Sequence, residues 1–332
     1  MRFFQFPNAV IIFLSVAVFT GFSLATDRFF TLSNVENLLI GYSFLAIVAV
    51  GQSLTIMVRG IDLSVGSTVA LAAMVLFDAI MIFDLPGEIA IPLALLAATM
   101  AGALNGALIV YLRLQPFVAT LATLATYRGV VFAISGRQLF PELASKGIDD
   151  LWVRWAGDFI DVERALNLGG IVSLPWIPVS FIVLLIYAGI VGLVLSRTRW
   201  GLNVRTFGGS PEAAHLAGLN TNRLQISVYT LCGFSAGLAG VILVGRFTTA
   251  TEALGSGMEL TAIAAAVIGG TRLQGGIGGV TGPILGAFLL GMILIGLTLM
   301  GISQFYQQIL TGLILIAAVG YDRFSSTRGA AA

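Results

Sequence analysis

The sequence predicts an all-α polytopic membrane protein of about ten transmembrane helices, with one short extra helix on the cytoplasmic side and both termini cytoplasmic. Three observations predict it. First, 58% of the 332 residues are hydrophobic and only 10% are charged, against about 45–50% and about 25% in soluble domains. Mean hydropathy is +0.99. So few charges cannot cover a water-soluble globule of this size, and the apolar surface must face lipid or other helices. Second, the chain divides into long charge-free runs. Ten spans of about 20 residues each would use roughly 200 residues and leave the rest for ends and loops. Third, basic residues are placed unevenly between the two faces that such a count creates.

The runs follow in order. Span 1 is Phe3–Thr26 and span 2 is Asn37–Val58. Span 3 starts at Leu63 and continues past Asp78 to Phe83. Span 4 is Ile89–Leu112, and span 5 runs from Leu114 past Arg128 to about Ile134. Span 6 is Trp176–Ser196, span 7 is Leu224–Gly245, and span 8 is the short stretch Leu260–Thr271. Leu273–Tyr321 holds 49 residues without a charge, enough for spans 9 and 10 with a break near Gly301-Ile302-Ser303-Gln304. Span 8 is brief enough to be re-entrant. The glycines after it, Gly269 to Gly279, point to irregular backbone, which is tolerated at membrane depth only under protein cover.

Charge placement tests the count. With the N-terminus inside and ten spans, ten basic residues fall inside and seven outside. Four of the seven lie in one long outer loop, where the positive-inside rule has little force. A re-entrant span 8 would move Arg323 and Arg328 outside, so ten full spans are preferred. Ser23-Leu24-Ala25 has cleavage-like spacing, but the single basic residue before the run, Arg2, and the length of the run favour a retained helix.

Two loops stand out. Residues 135–175 form a polar outer loop carrying Trp152 and Trp155, with room for a short helix. Residues 197–223 form an inner loop containing Pro211-Glu212-Ala213-Ala214-His215-Leu216-Ala217-Gly218. Proline suits the first helical position, Ser210 suits the N-cap, and glycine suits the end. This stretch is too short to span and is expected to lie across the cytoplasmic face. The segments 60–66 and 276–282 share a G-I-x4-G spacing, each just before an apolar run.

Much chemistry is excluded. There is no P-loop sequence for ATP phosphates. The single histidine, His215, and the single cysteine, Cys232, leave no metal cluster and no intramolecular disulfide. A net charge of +1 gives no bulk attraction to nucleic acid. An ion-coupled carrier keeps ionisable groups at membrane depth. Here Asp78 and Arg128 are nearly alone there and are expected to snorkel or pair. Three small-xxx-small patterns, at Gly102/Gly106, Gly233/Gly237 and Gly282/Gly286, permit close helix packing within one subunit or between two. Gln52, Asn105, Thr120 and Thr123 are polar groups inside apolar spans. They suit buried interhelical hydrogen bonds or the lining of a path for a polyhydroxylated solute, whose hydroxyls need partners outside water. Phe117 joins them as a candidate path residue.

The run Arg59-Gly-Ile-Asp-Leu-Ser-Val-Gly-Ser67 resembles the G-I-D-L-S-V-G signature of ribose-type (monosaccharide) ABC transporter permeases, a bacterial inner-membrane importer family. Four further runs resemble the same family in order: Gln115–Leu121 with Arg128-Gly129, Gly208–Gly218, Val228–Gly233 with Glu259–Thr271, and Gly301–Gln307. The likeness covers roughly residues 29–323. It implies a translocation subunit rather than an enzyme, for a ribose-like sugar or a similar polyol. Its implied partners are a second permease subunit (an identical copy or a sister chain), a cytoplasmic cassette ATPase that alone holds ATP and magnesium, a periplasmic sugar-binding protein, and lipid. This chain itself would bind no cofactor. The resemblance gives Gly60, Ile61, Asp62, Leu63, Ser64 and Gly66 as family-motif positions. It gives the role of a coupling helix to Pro211, Glu212, Ala213, Ala214, His215, Gly218 and Leu219. Outside that likeness, an importer for vitamins or amino acids would look similar, and a stand-alone secondary sugar carrier is the rival reading. Two departures are plain: Ile293–Leu299 replaces an Asn-rich stretch, and Arg272 stands where a small residue is common. Thirteen of the 16 carboxylates fall on the outer face, which calls for a partly basic rim on the docking protein.

Overall fold

Among the described residues, apolar helices fall on the runs read from the sequence, six of them long enough to cross a membrane and four shorter, and these lengths tell how the bundle is built. The structure, a computed structural model, describes residues 9–135, 148–160 and 177–329. Its helices are α1 (Ala9–Ala25), α2 (Leu32–Met57), α3 (Val65–Met81), α4 (Gly87–Tyr111), α5 (Pro116–Ser135), α6 (Leu151–Gly157), α7 (Val179–Arg197), α8 (Arg199–Gly209), α9 (Pro211–Leu216), α10 (Thr221–Phe247), α11 (Met258–Ile268), α12 (Thr281–Leu299) and α13 (Gln304–Gly329). Six of these, α2, α4, α5, α7, α10 and α12, are long and apolar enough to cross a membrane. Four apolar segments are shorter: α1, α3, α11 and the part of α13 from Gln304 to Gly320. The expected all-α class holds, with one addition: a two-residue antiparallel pair, β1 (Phe159–Ile160) with β2 (Ile177–Pro178). Most of the outer loop 135–175 lies outside the described residues. Its described part includes the short helix α6, N-capped by Asp150.

The centre is made of α2 and α10. From Leu45 to Met57 every α2 residue is buried, and α10 is buried along most of Val228–Gly245. Lipid tails are as apolar as leucine, so helices associate through tight packing of small residues. The small-residue patterns sit where this packing is closest. A Cβ on Gly102 would stand 2.3 Å from the Tyr229 carbonyl, and one on Gly233 would stand 2.3 Å from the Ala98 carbonyl. The α4 and α10 patterns therefore mate with each other. Gly286 packs likewise on the Ala265 carbonyl, joining α12 to α11. All three patterns serve packing within the subunit. Outward faces are apolar: Ile186, Ile190 and Leu193 on one side of α7 are exposed.

Three stretches between helices are irregular. The sequence indicated one of them, 269–280. The other two are 58–64 and 248–257. After Met57 the chain doubles back until Asp62 lies beside Gln52, five residues up α2, or about 7 Å at 1.5 Å per residue. From the other end of the bundle, 248–257 dips until Leu254 reaches Arg128, seven residues below the end of α5. The two segments meet where a Cβ on Gly66 would stand 2.3 Å from the Gly255 carbonyl. Helices α3 and α11 therefore start inside the bundle, which is why they are short. Arg128 is satisfied by the carbonyls of Glu252 and Leu254. Asp78 is buried, and its Oδ1 finds no partner among the described residues.

Candidate functional site

The signature stretch builds a closed polar knot. Asp62 accepts from the Ser64 N–H at 2.9 Å and the Ser64 hydroxyl at 2.7 Å, an Asx-type turn that starts α3. The Asn105 amide, from α4, donates to Ser64 Oγ at 2.7 Å and reaches both Asp62 oxygens at 3.3 and 3.4 Å. The Gln52 carboxamide, oriented so that both ends are satisfied, pairs with the Asp62 backbone, its nitrogen to the carbonyl at 3.2 Å and its oxygen to the N–H at 3.1 Å. From α5, the Thr120 hydroxyl donates to the Ile61 carbonyl at 3.1 Å, and Thr123 donates to the Thr120 carbonyl. The Tyr127 hydroxyl lies 2.8 Å from the Ala101 carbonyl and 3.2 Å from Asn105 Oδ1. Asp62 meets no cation among the described residues. Buried polar groups persist only when partnered, and this carboxylate is partnered by the Asn105 amide of α4 and by its own turn, while α2 and α5 hold the backbone on either side of it.

At the inner end of α2 the chain meets the predicted surface helix. Ser210 caps α9 by accepting from the Ala213 N–H at 3.2 Å, and Pro211 occupies the first turn. Gly218 takes φ +77° just after the helix, a region open to glycine at no steric cost. Glu212, Ala213, His215 and Gly218 are exposed and Leu219 is half-buried. Ala214, however, is fully buried and packs into the main core. Of the two alanines given a place in the coupling helix, Ala213 is exposed and Ala214 faces inward. An α-helix presents neighbouring residues to different sides, and position 214 falls on the side packed against the bundle. The sequence reading passed over Leu216, which is 87% exposed. It also passed over α8, whose Trp200, Val204 and Phe207 follow helical spacing behind a Thr198 cap.

A cavity lies at the other end of the bundle. It has a volume of about 1070 Å³ and lies among α2, α10, α11, α12, α13 and the segment 248–257. Asn37, Tyr42, Arg246, Gln304, Gln307 and Gln308 supply part of its polar wall, and Phe44, Leu254 and Met258 part of its apolar wall. Among the described residues, Arg246 is its only charged lining residue. The side chains of Asn37, Arg246, Gln304 and Gln308 make no hydrogen bond among the described residues. The Arg246 guanidinium instead sits 5.6 Å from the centre of the Phe247 ring. This wall offers donors and acceptors without partners, which a pocket for a polar solute requires.

None of the five expected path residues lines this cavity. Gln52, Asn105, Thr120 and Thr123 are buried in the knot, and Phe117 is 54% exposed on α5. The structure brings four of the five together, with all the family-motif positions but Gly66 immediately around them. Gly66 instead lets α3 touch the dipping segment. The signal for the cavity was the polar spacing Gln304, Gln307, Gln308 and Thr311 at the start of α13. No group of three or more metal-ligating side chains is present among the described residues.

Comparisons with known proteins agree with this architecture. Residues 34–319 match the family described as branched-chain amino acid transport system / permease component. The chain is 36% identical over 304 residues to the ribose import permease protein RbsC of Escherichia coli K12, covering 90% of this chain and 88% of that protein. It is 32% identical to the D-allose transport system permease protein AlsC of the same organism, over 97% of this chain and 92% of that one. It is 33% identical to the galactose/methyl galactoside import permease protein MglC of Haemophilus influenzae, over 94% and 93% respectively. No solved structure matches.

Proposed function

This chain belongs to the branched-chain amino acid transport system / permease component family, and from that premise we propose that it is the membrane permease of an ATP-driven importer for a monosaccharide. The observation that carries this reading is near end-to-end similarity to permeases named for ribose, allose and galactose import. We place the protein in the bacterial inner membrane, with ten spans and both termini in the cytoplasm, as the basic residues favour. Two permease subunits form the pathway. A cassette ATPase binds ATP and magnesium on the inner face, and a periplasmic binding protein delivers the sugar to the outer face.

Pro211, Glu212, Ala213, His215, Gly218 and Leu219 then form the seat for the ATPase, with Leu216 as its apolar anchor and Ala214 as the root of the helix in the bundle. An exposed leucine on a capped helix suits an apolar groove in a partner. The solute path runs through the outer cavity. The knot of Gln52, Asn105, Thr120 and Thr123 supports its floor. The permease changes state because its partners bind its inward- and outward-open forms with different affinity, the only way a ligand shifts an equilibrium.

Reconstitution tests this. Vesicles containing the permease, its cassette ATPase and its binding protein are expected to accumulate ribose-class sugar only with ATP inside. Leu216→Asp is expected to abolish that uptake while leaving the melting temperature of the permease unchanged. Gradient-driven uptake by the permease alone would overturn the proposal.

A further inference from the structure

Arg59 is the residue left over once the knot and the surface helix are described. It takes φ +60°, a left-handed conformation that a non-glycine residue adopts only when its surroundings impose it. From there its guanidinium reaches across to another part of the chain. Nε donates to the Gly208 carbonyl at 2.7 Å and Nη2 to the Gly209 carbonyl at 2.5 Å. Those are the last two carbonyls before Ser210, the cap of α9. The planar fork of arginine fixes both carbonyls in one geometry, which a single ammonium cannot do.

The neighbouring backbone is fitted to this grip. The Gly276 N–H donates to the Met57 carbonyl at 2.9 Å. A Cβ on Gly208 would stand 1.9 Å from that same Met57 carbonyl, and one on Gly275 would stand 2.5 Å from Arg59 Cγ. Three segments distant in sequence, 57–60, 208–209 and 275–276, thus close on one another with glycines at the contacts. On its other side Arg59 is three residues from Asp62, whose partners lie on α2 and α4, while Ile61 is held by Thr120 of α5. A short bonded route therefore runs from the base of α9 through Arg59 to three helices at depth.

We propose that Arg59 is the positioning residue that transmits movement of α9 to the knot, so that ATP hydrolysis on the inner face moves α4 and α5. This rests on the permease reading above. Such coupling needs an element with two arrangements whose balance both sites bias, and the strained turn at Arg59, gripping two bare carbonyls, has the geometry to be remade when α9 shifts.

The test measures sugar transported per ATP hydrolysed in vesicles containing the full complex. Arg59→Ala is expected to assemble with the ATPase and to hydrolyse ATP, while sugar moved per ATP falls at least tenfold and stimulation by loaded binding protein disappears. Arg59→Lys, which restores charge and one donor, is expected to recover part of the coupling. Arg205→Ala serves as the control. Among the described residues its side chain bonds only the Leu195 carbonyl on the adjoining helix, and its coupling ratio should equal that of the unmodified protein. Unchanged coupling in Arg59→Ala would overturn the proposal, as would equal loss in Arg205→Ala. If Arg59→Ala does not assemble, Arg59→Lys decides: a normal ratio overturns the proposal and a reduced ratio supports it. Absence of ATP-driven uptake by the unmodified complex would instead sink the permease reading, so the two failures are distinguishable.

Discussion

The knot around Asp62 and the cavity beside Arg246 contain the same kinds of side chain, namely a charged group, amides, a tyrosine and hydroxyls, and they treat them in opposite ways. In the knot every amide and hydroxyl of Gln52, Ser64, Asn105 and Thr120 has a protein partner. In the cavity Asn37, Arg246, Gln304 and Gln308 face open space, and their side chains are unpaired among the described residues. Polarity within an apolar span is thus not itself a sign of a solute path. What separates a structural group from a binding group is whether the fold already answers its hydrogen bonds. A satisfied group has nothing to offer a sugar, whereas an unsatisfied one lining water exchanges water for solute at small cost.

The largest effect is expected in the knot, on stability. Asp62→Leu removes the acceptor of the Ser64 N–H and hydroxyl, both buried. Leaving a buried donor unmatched costs about 1–3 kcal/mol, so about 2–6 kcal/mol is expected in total. Thermal melting in detergent should show a large fall for Asp62→Leu and a small one for Asp62→Asn, which keeps an acceptor. Equal melting of both variants and the unmodified chain would mean that the knot carries no structural energy, and the contrast with the cavity would fail.

That contrast also marks what the sequence disclosed. The class of fold, the ten apolar segments and the surface helix with its Ser210 cap follow from composition, period and end chemistry, all local quantities. The knot was half legible: Gln52, Asn105, Thr120 and Thr123 were recognisable as odd residues in apolar surroundings. Their convergence on Asp62 was not, because it requires the chain to double back after Met57 through Arg59 at positive φ. Nor does local sequence show that 248–257 dips inward, since its cover comes from α3 and α5, more than a hundred residues earlier. The burial of Ala214 was not legible for a similar reason. A six-residue helix has too little periodicity to reveal its buried face, and only the bundle beneath it decides.

The next effect belongs to the cavity and should appear in transport rather than in stability. Arg246→Gln removes a half-buried guanidinium that makes no hydrogen bond among the described residues. Surface-like substitutions without partners shift stability by about 0.5 kcal/mol or less, so the melting temperature should barely move. A hydrogen bond from a charged group to solute is worth about 1.5–3 kcal/mol. Initial uptake at low sugar concentration is therefore expected to fall about 13- to 160-fold. Uptake unchanged in this variant would remove the cavity from the path and return attention to the lipid-facing or subunit-facing side of α5, where Phe117 lies.

The smallest effect separates the individual amides. Gln304 and Gln308 lie one helical turn apart at the start of α13, and both line the cavity. Gln307, between them, lines the cavity too, but its amide is already engaged by Thr298 and the Ile302 carbonyl at 3.0 and 2.9 Å. A neutral hydrogen bond contributes about 0.5–1.5 kcal/mol net, so Gln304→Ala and Gln308→Ala should each reduce uptake about 2- to 13-fold without altering melting. Gln307→Ala should do the reverse, lowering the melting temperature by loosening the α12–α13 turn. The three glutamines thus repeat, within one turn and a half of one helix, the distinction between knot and cavity. If all three variants changed the same property, the rule that unanswered hydrogen bonds mark the solute path would fail where side-chain chemistry is held constant.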